Sequence, residues 1–405
     1  MKTDQTCILT INGGSSSIKF ACYQNTDPLV RIFYGHVNRI GLKESKLTFY
    51  NEIGSQQESL ALKDSDTKSA IHFLLVWLAQ KIAFTSIIGV GHRVVHGMDH
   101  TQPEPITTEL LEELQMITPY DPDHLIIEVE LIKAFRKRHP DLLQVACFDT
   151  SFHTTMPRVA KLLPIPRRFD TRGIHRYGFH GLSYQYLMQE ILKQSGTTIP
   201  KGRIILAHLG SGASLAAVKD GKCIDTSMGF TPAGGLVMGS RPGDLDPSVA
   251  WYIIESEKLT SKQFNHLINF ESGLLGISET SSDMHDLLAL EKKDFRSAEA
   301  IALFCYQTKK WIGSFAAALG GIDTLVFAGG IGENSPVIRS RICEGLEFLG
   351  IDLEEKNNSN NAHVISKINT KTTVRVIRTD EEWIIANAVH QKINTFHLKK
   401  SNHEK

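Results

Sequence analysis

An excess of charge of either sign is missing. The 405 residues carry 44 Lys and Arg against 44 Asp and Glu, a formal net charge of zero. Without a basic surplus the chain has no global attraction for nucleic acid or anionic lipid, so neither is expected as a partner. Cysteine is sparse and scattered, at 7, 22, 147, 223, 305 and 343, with no Cys-x-x-Cys. That spacing gives neither a disulfide framework nor a soft metal site. It reads as small buried hydrophobes in a reducing compartment. Long apolar runs are also absent. The clearest, IHFLLVWLA at 71–79, is about half a membrane span. The opening MKTDQTCILTING lacks the apolar core and cleavage site of a secretory leader. A cytoplasmic protein without a membrane partner is expected. Three catalytic signatures are missing too. There is no Gly-x-x-x-x-Gly-Lys-Ser/Thr, His92-Arg93-Val94 is not His-Arg-Asp, and no Gly-x-Ser-x-Gly occurs. P-loop and protein-kinase chemistry are thereby excluded, and the missing nucleophile elbow counts against an α/β-hydrolase.

What is present suits a large folded enzyme. Hydrophobic residues make up 41% and charged residues 22%, ordinary for a globular chain of about two to three domains. Apolar runs at 7–11 and 18–23 flank Asn12-Gly13-Gly14-Ser15-Ser16-Ser17, which predicts strand, tight turn, strand. The pattern returns at 203–208 and 215–218 around Gly210-Ser211-Gly212-Ala213-Ser214, a weak internal duplication. Helices are expected over 71–82, from Thr107 to before Pro119, and over 124–138. Strands are expected over 87–95, 142–148 and 374–377. A strand near 322–328 leads to Gly329-Gly330-Ile331-Gly332 as a turn, with a helix from about Ser335. Residues 353–362 read as a polar loop, 380–395 as a helix, and 397–405 as a frayed tail.

Gly/Ser-rich turns at 12–17, 210–214, 229–243 and 329–334 let backbone N–H groups approach a ligand, which suits phosphate oxygens. Arg93 ends an apolar strand, where it is either a surface residue or an anion ligand. Arg241 lies beside Asp244 and Asp246, so a structural ion pair is the rival reading. Asp149 ends a strand and either serves a Mg²⁺ or nucleophile, or caps an Asx turn. His180 alone suits a core hydrogen bond. Glu381 and Glu382 alone suit a helix start. His92, His96 and His100 recur every four residues like a helical metal face, but Gly91, Gly97 and Val94-Val95 argue for a strand.

Read as a set, these segments change the picture. NGGSSSIK (12–19), GHRVVHG (91–97), FDTSFHTTMP (148–157), YGFHG (177–181), HLGSGAS (208–214), TSMGFTPAGGLVMGSRPGDLDP (226–247), ESGLLGISETSSD (271–283), FAGGIGENSP (327–336) and TDEE (379–382) resemble the acetate kinase (acetokinase) family of the acetate and sugar kinase/Hsp70/actin superfamily. The resemblance implies an α/β chain with two duplicated ribonuclease-H-like, actin-like ATPase domains and an interdomain cleft. The first would cover 1–150, completed by the helix 383–396, and the second 151–382. It implies reversible transfer of the ATP γ-phosphoryl group to acetate, with Mg²⁺ (or Mn²⁺) as cofactor, in a homodimer.

Carried over by position, Arg93 and Arg241 bind carboxylate and the transferring phosphoryl group, His180 donates in the transition state, and Asp149 completes the catalytic set. Val95, Phe179 and Pro232 form the acyl pocket with Arg93. Asn12, Ser15 and Ser17 line the phosphate side. The nucleotide falls to Lys19, His208, Leu209, Gly210, Ser211, Gly212, Asp283, Met284, His285, Gly329, Gly330, Ile331, Gly332 and Asn334. Asn12 and Glu381 serve the metal. The chain departs from the family pattern at Ser211 (usually Asn), at Met284-His285 (usually Phe-Arg), and at TPYDPDHL (118–125), where Tyr120 or Asp121 stands near the place of a usual His and His124 is out of register.

Overall fold

The computed structural model describes residues 6–14, 17–41, 44–51, 57–195 and 202–403. They divide into two compact units. One takes the chain up to Ser151 together with Asp380 onward, and the other is Phe152–Thr379. Each is built around one sheet.

In the first unit the strands are β1 (Cys7–Gly13), β2 (Ser17–Gln24), β3 (Val30–Asn38), β4 (Lys46–Asn51), β5 (Gln57–Ala61), β6 (Ile87–Val94), β7 (Glu104–Pro105) and β8 (Gln144–Phe148). Among the described residues they form one sheet in the order β5-β4-β3-β2-β1-β6-β8-β7. β1 pairs antiparallel with β2 and parallel with β6, and β6 pairs parallel with β8. The crossovers carry helices α1 (Thr67–Lys81), α2 (Thr108–Met116) and α3 (Pro122–Arg138). α1 begins earlier than its apolar pattern because the Asp66 carboxylate accepts from the N–H groups of Lys68 and Ser69. Phe20, Phe33 and Phe49 ring Trp77 of α1 with centroids 5.0–6.3 Å away. The helix Glu381–His403 returns to cover β6 and β1. Its approach needs glycine, since a Cβ on Gly91 would lie 2.3 Å from Ile385.

The second unit has β9 (Arg203–Leu209), β10 (Ala213–Lys219), β11 (Lys222–Thr226), β12 (Thr324–Ala328) and β13 (Thr373–Val376). Their order among the described residues is β11-β10-β9-β12-β13. The duplication read from two short hairpins is therefore structural. β3-β2-β1-β6-β8 and β11-β10-β9-β12-β13 share one plan, three antiparallel strands continued by two parallel ones.

Three local expectations need correction. Residues 329–332 are not a turn before a helix but already helical, in Gly329–Asn334. The chain enters that helix through Gly329 at φ +77°, a value a side chain rarely adopts. The polar stretch 353–362 contains the short helix Glu355–Ser359, because Asn358 is buried against Arg339 and cannot stay in solvent. The terminal helix runs past 397 to His403, as no Gly or Pro interrupts those residues. No helix among the described residues is long and apolar enough to cross a membrane.

Candidate active site

In the first unit, three parallel strands end side by side, and each delivers one polar group. Ile11 of β1 pairs with His92 of β6, and Val94 of β6 pairs with Phe148 of β8. Asn12, Arg93 and Asp149 therefore lie at adjacent strand ends, where open α/β sheets collect ligands. Arg93 Nε and Nη2 donate to Asp149 at 3.1–3.2 Å and 2.5 Å. Arg93 Nη1 reaches Asn12 Oδ1 and the Gly13 carbonyl, both at 3.4 Å. The Asp149 side chain is 1% exposed and that of Arg93 13%. Burial opposes the guanidinium charge, but Asp149 and Glu381 outweigh it and hold Arg93 charged. Glu381 opens the terminal helix and accepts from Asn12 Nδ2 at 3.2 Å. The start of that helix is fixed by Asp380, which accepts from Tyr23 Oη and pairs with Arg31.

Lys19 stands opposite Asn12 in the β1–β2 register, and Ser17 begins β2. Ser15 lies outside the described residues. Val95 follows β6 and is buried. Asp121 and His124, from the stretch that departs from the family pattern, hydrogen-bond each other at 2.9 Å.

In the second unit, Arg241 and His180 converge on Gly212. A Cβ there would sit 3.0 Å from Arg241 Nη2 and 3.2 Å from His180 Nε2, so a side chain at this position would press on both by a few tenths of an ångström. Arg241 Nη1 is anchored to the Pro232 carbonyl at 2.7 Å. Asp244 accepts from the Gly235 N–H. His180 has φ +60°, shares a 2.8 Å bond with Ser214 Oγ, and stacks on His208 at 4.3 Å. His208 Nδ1 in turn contacts Ser183 Oγ at 2.8 Å. Phe179 and Pro232 are buried.

Next to this group lies a cavity of about 450 Å³, lined by Gly210, Ser211, Asp283, Met284, His285, Gly330, Ile331 and Asn334, with Ser282, Leu288 and Ser335 completing it. It falls in the range that takes a drug-sized ligand. Eight of the expected nucleotide residues thus gather on one cavity. His208, Leu209, Gly212, Gly329 and Gly332 stand outside its lining: Leu209, Gly329 and Gly332 are buried, and His208 and Gly212 belong with His180.

Sequence reasoning missed the groups that hold this machinery in place. Glu333 accepts from the N–H groups of Gly329 and Thr379. Arg339, fully buried, donates to the carbonyls of Gly332, Glu333 and Asn358 and to the side chains of Asn358 and Asn361. His153, also fully buried, meets the Phe179 carbonyl through Nε2 at 2.9 Å and Cys223 Sγ through Nδ1 at 3.2 Å. A carbonyl only accepts, so Nε2 carries the proton and Nδ1 is left as an acceptor beside the Cys223 thiol, which also donates toward the Asp225 carbonyl at 3.4 Å. Only the isolated polar letters in apolar runs hinted at these roles.

Burial lowers the His153 pKa to about 4. Its neutral form supports the fold above the ordinary histidine value near 6.5, and that contribution is lost as pH falls from about 6.5 to 4. His153→Leu should destabilise by about 1–3 kcal/mol at pH 7, the cost of an orphaned buried carbonyl. Its penalty should shrink toward pH 4. Urea denaturation at pH 7 and pH 5 checks both.

The acetokinase family profile matches residues 7–387. An acetate kinase of Thermoanaerobacterium thermosaccharolyticum is 42% identical over 392 residues, covering 94% of this chain and 97% of that one. The crystal structure of Porphyromonas gingivalis acetate kinase superposes with a TM-score of 0.85 at 36% identity, over 95% of this chain and 99% of that one. A propionate kinase structure from Francisella tularensis gives 0.88 at 35% identity, with the same coverages. Family profile, sequence relatives and backbone agree along nearly the whole length: the chain belongs to the acetokinase family.

Proposed function

We propose that this chain is an acetate kinase, transferring the γ-phosphoryl group of ATP reversibly to acetate to give acetyl phosphate and ADP. The observation that carries the reading is the convergence of Arg241 and His180 on Gly212, beside the cavity that Gly210 and Ser211 line. Phosphoryl transfer asks mainly for positioning and for donors to spreading negative charge. A guanidinium fork and an imidazole at one point supply both.

Acetate is already ionised at pH 7, so its carboxylate needs no general base. One carboxylate oxygen forms the new O–P bond while the bond from γ-phosphorus to the β–γ bridging oxygen breaks. The electron pair leaves with ADP. Arg241 and His180 hold the equatorial oxygens, and Arg93, locked by Asp149, orients the carboxylate. Direct transfer requires inversion at phosphorus and no phosphoenzyme. Ser211, Asp283, Met284, His285, Ile331 and Asn334 take the nucleoside, with apolar walls from Met284, Ile331 and Leu288.

The donors present fit Mg²⁺ carried with the nucleotide. Among the described residues no three His, Cys, Asp or Glu group closely enough to cage an ion, whereas the Glu381 carboxylate lies beside the Asn12 amide, whose Nδ2 donates to it. Mg²⁺ is ordinarily held by one or two carboxylates plus substrate phosphates. Asn12 and Glu381 would hold it, and it would neutralise phosphate charge. A homodimer and a cytoplasmic setting complete the proposal. Exposed Leu245, Val249, Trp251 and Tyr252 offer the apolar face that a dimer needs.

Propionate is the second reading, favoured by the equal likeness to a propionate kinase structure. Val95, Phe179 and Pro232, the residues the family resemblance gives to the acyl group, are all stiff, which disfavours longer acyl chains. One methylene is worth about 10–200-fold in discrimination. Coupled ADP-release assays with acetate, propionate and butyrate test the proposal. Acetate should have the highest kcat/KM, propionate should be weaker, and butyrate nearly inert. A propionate-to-acetate ratio at or above one would assign the chain to propionate. Acyl-independent ADP release would reject both readings.

A further inference from the structure

Strand β6 leaves the sheet at Val94, whose partner is Phe148. Beyond it the backbone N–H groups are held by side chains rather than by a neighbouring strand. Val95 N donates to Glu128 Oε1 and Oε2 at 3.2 and 3.0 Å. Gly97 N donates to Thr150 Oγ1 at 3.1 Å, and Met98 N to His96 Nδ1 at 3.3 Å. Glu128 is 2% exposed and sits on α3 among the buried Leu125, Val129 and Ile132. Its stem lies against the end of β1, since a Cβ on Gly13 would be 3.4 Å from Glu128 Cγ. One side chain from α3 thus braces two of the strand ends that carry the site.

A carboxyl group amid an apolar helix face is costly unless it has a task. Burial pushes Glu128 up to about 8; Arg93 and the Val95 N–H oppose the rise, and Asp121 and Asp149 add to it. At neutral pH it carries its proton, so what reaches Val95 is an acceptor oxygen rather than a charge. The Val95 Cβ is two bonds from the nitrogen so held. A shift of one bond length, about 1.5 Å, equals the space of one methylene.

We propose that Glu128 is a positioning residue for acyl-chain length, holding the Val95 N–H so that the Val95 side chain stands at a fixed distance from the acyl group. The assignment rests on the acyl-kinase reading given above. It predicts that an acceptor oxygen at this place is required and that a negative charge is not.

The test compares the full-length wild type with Glu128→Gln, Glu128→Asp and Glu128→Leu, using acetate, propionate and ATP. Glu128→Gln keeps an oxygen at the same reach and should hold the acetate KM and the propionate-to-acetate ratio within about twofold. Glu128→Leu should raise the acetate KM about tenfold or more and move the ratio toward one, the scale of a single methylene. The ATP KM should stay within about threefold, because the nucleotide cavity is remote in sequence and lies in the other unit. Should Glu128→Leu not fold, Glu128→Asp, one methylene shorter, must show the same shift at smaller size. Unchanged acetate KM and ratio in both Glu128→Asp and Glu128→Leu overturn the assignment. So does an equal loss in Glu128→Gln, or a fall of kcat, both KM values and Tm together. Wild-type turnover on acetate or propionate tests the kinase reading separately; an inert wild type overturns both.

Discussion

Arg241→Lys is expected to lower kcat by about 10²–10³-fold, although the charge is kept, with a smaller change in the ATP KM. The magnitude is that of losing one preorganised donor to transition-state charge. The geometry explains why a lysine cannot substitute. Arg241 spends Nη1 on the Pro232 carbonyl and presents Nη2 over Gly212, beside His180 Nε2. The planar fork does both at once. An ammonium is one compact charge on a flexible stem, and satisfying Pro232 draws it away from the phosphoryl position. Steady-state kinetics with saturating ATP measure the loss. A variant that kept kcat and lost only acetate affinity would make Arg241 a ground-state ligand of the carboxylate, and the transition-state role would fall to His180.

The contrast between Arg241 and Glu128 shows what the sequence carried. Arg241 stood out in a long run of Gly, Ser and Pro, but beside Asp244 and Asp246 the residues alone left an ion pair open, and only the family resemblance assigned it an anion. The repeated hairpin was legible from the residues themselves, as two strand–Gly/Ser–strand runs gave the two sheets before any pairing was known. Glu128 was hidden inside LIIEVELI, where helical periodicity explains every letter but one. Its role depends on Val95, 33 residues away, and no local pattern reports that pairing. Arg339 failed for the same reason: its partners at Gly332, Glu333, Asn358 and Asn361 come together only through packing. Periodicity finds faces and glycines mark turns. The choice of which buried polar group meets which backbone group is made by tertiary contact.

The same distinction separates stability from catalysis at Arg93. Asp149→Ala should destabilise the protein by about 3–5 kcal/mol, the range for removing one member of a buried ion pair. Asp149 is inaccessible and takes three bonds from Arg93, so its loss leaves a buried guanidinium without its main partner. Activity should fall with it, since Arg93 would swing toward Glu381, the remaining charge that holds it. Unfolding alone could produce both effects, so the double variant Arg93→Leu with Asp149→Leu is the informative one. Two apolar side chains remove the orphaned charge, and replacing a whole buried pair is often neutral or stabilising. The double variant should therefore recover stability in urea denaturation beyond Asp149→Ala alone. It should recover no phosphoryl transfer, because the guanidinium proposed to take the carboxylate is gone. If turnover returned along with stability, Asp149 and Arg93 would only brace the β6 and β8 ends, and the carboxylate would have to be held from Arg241.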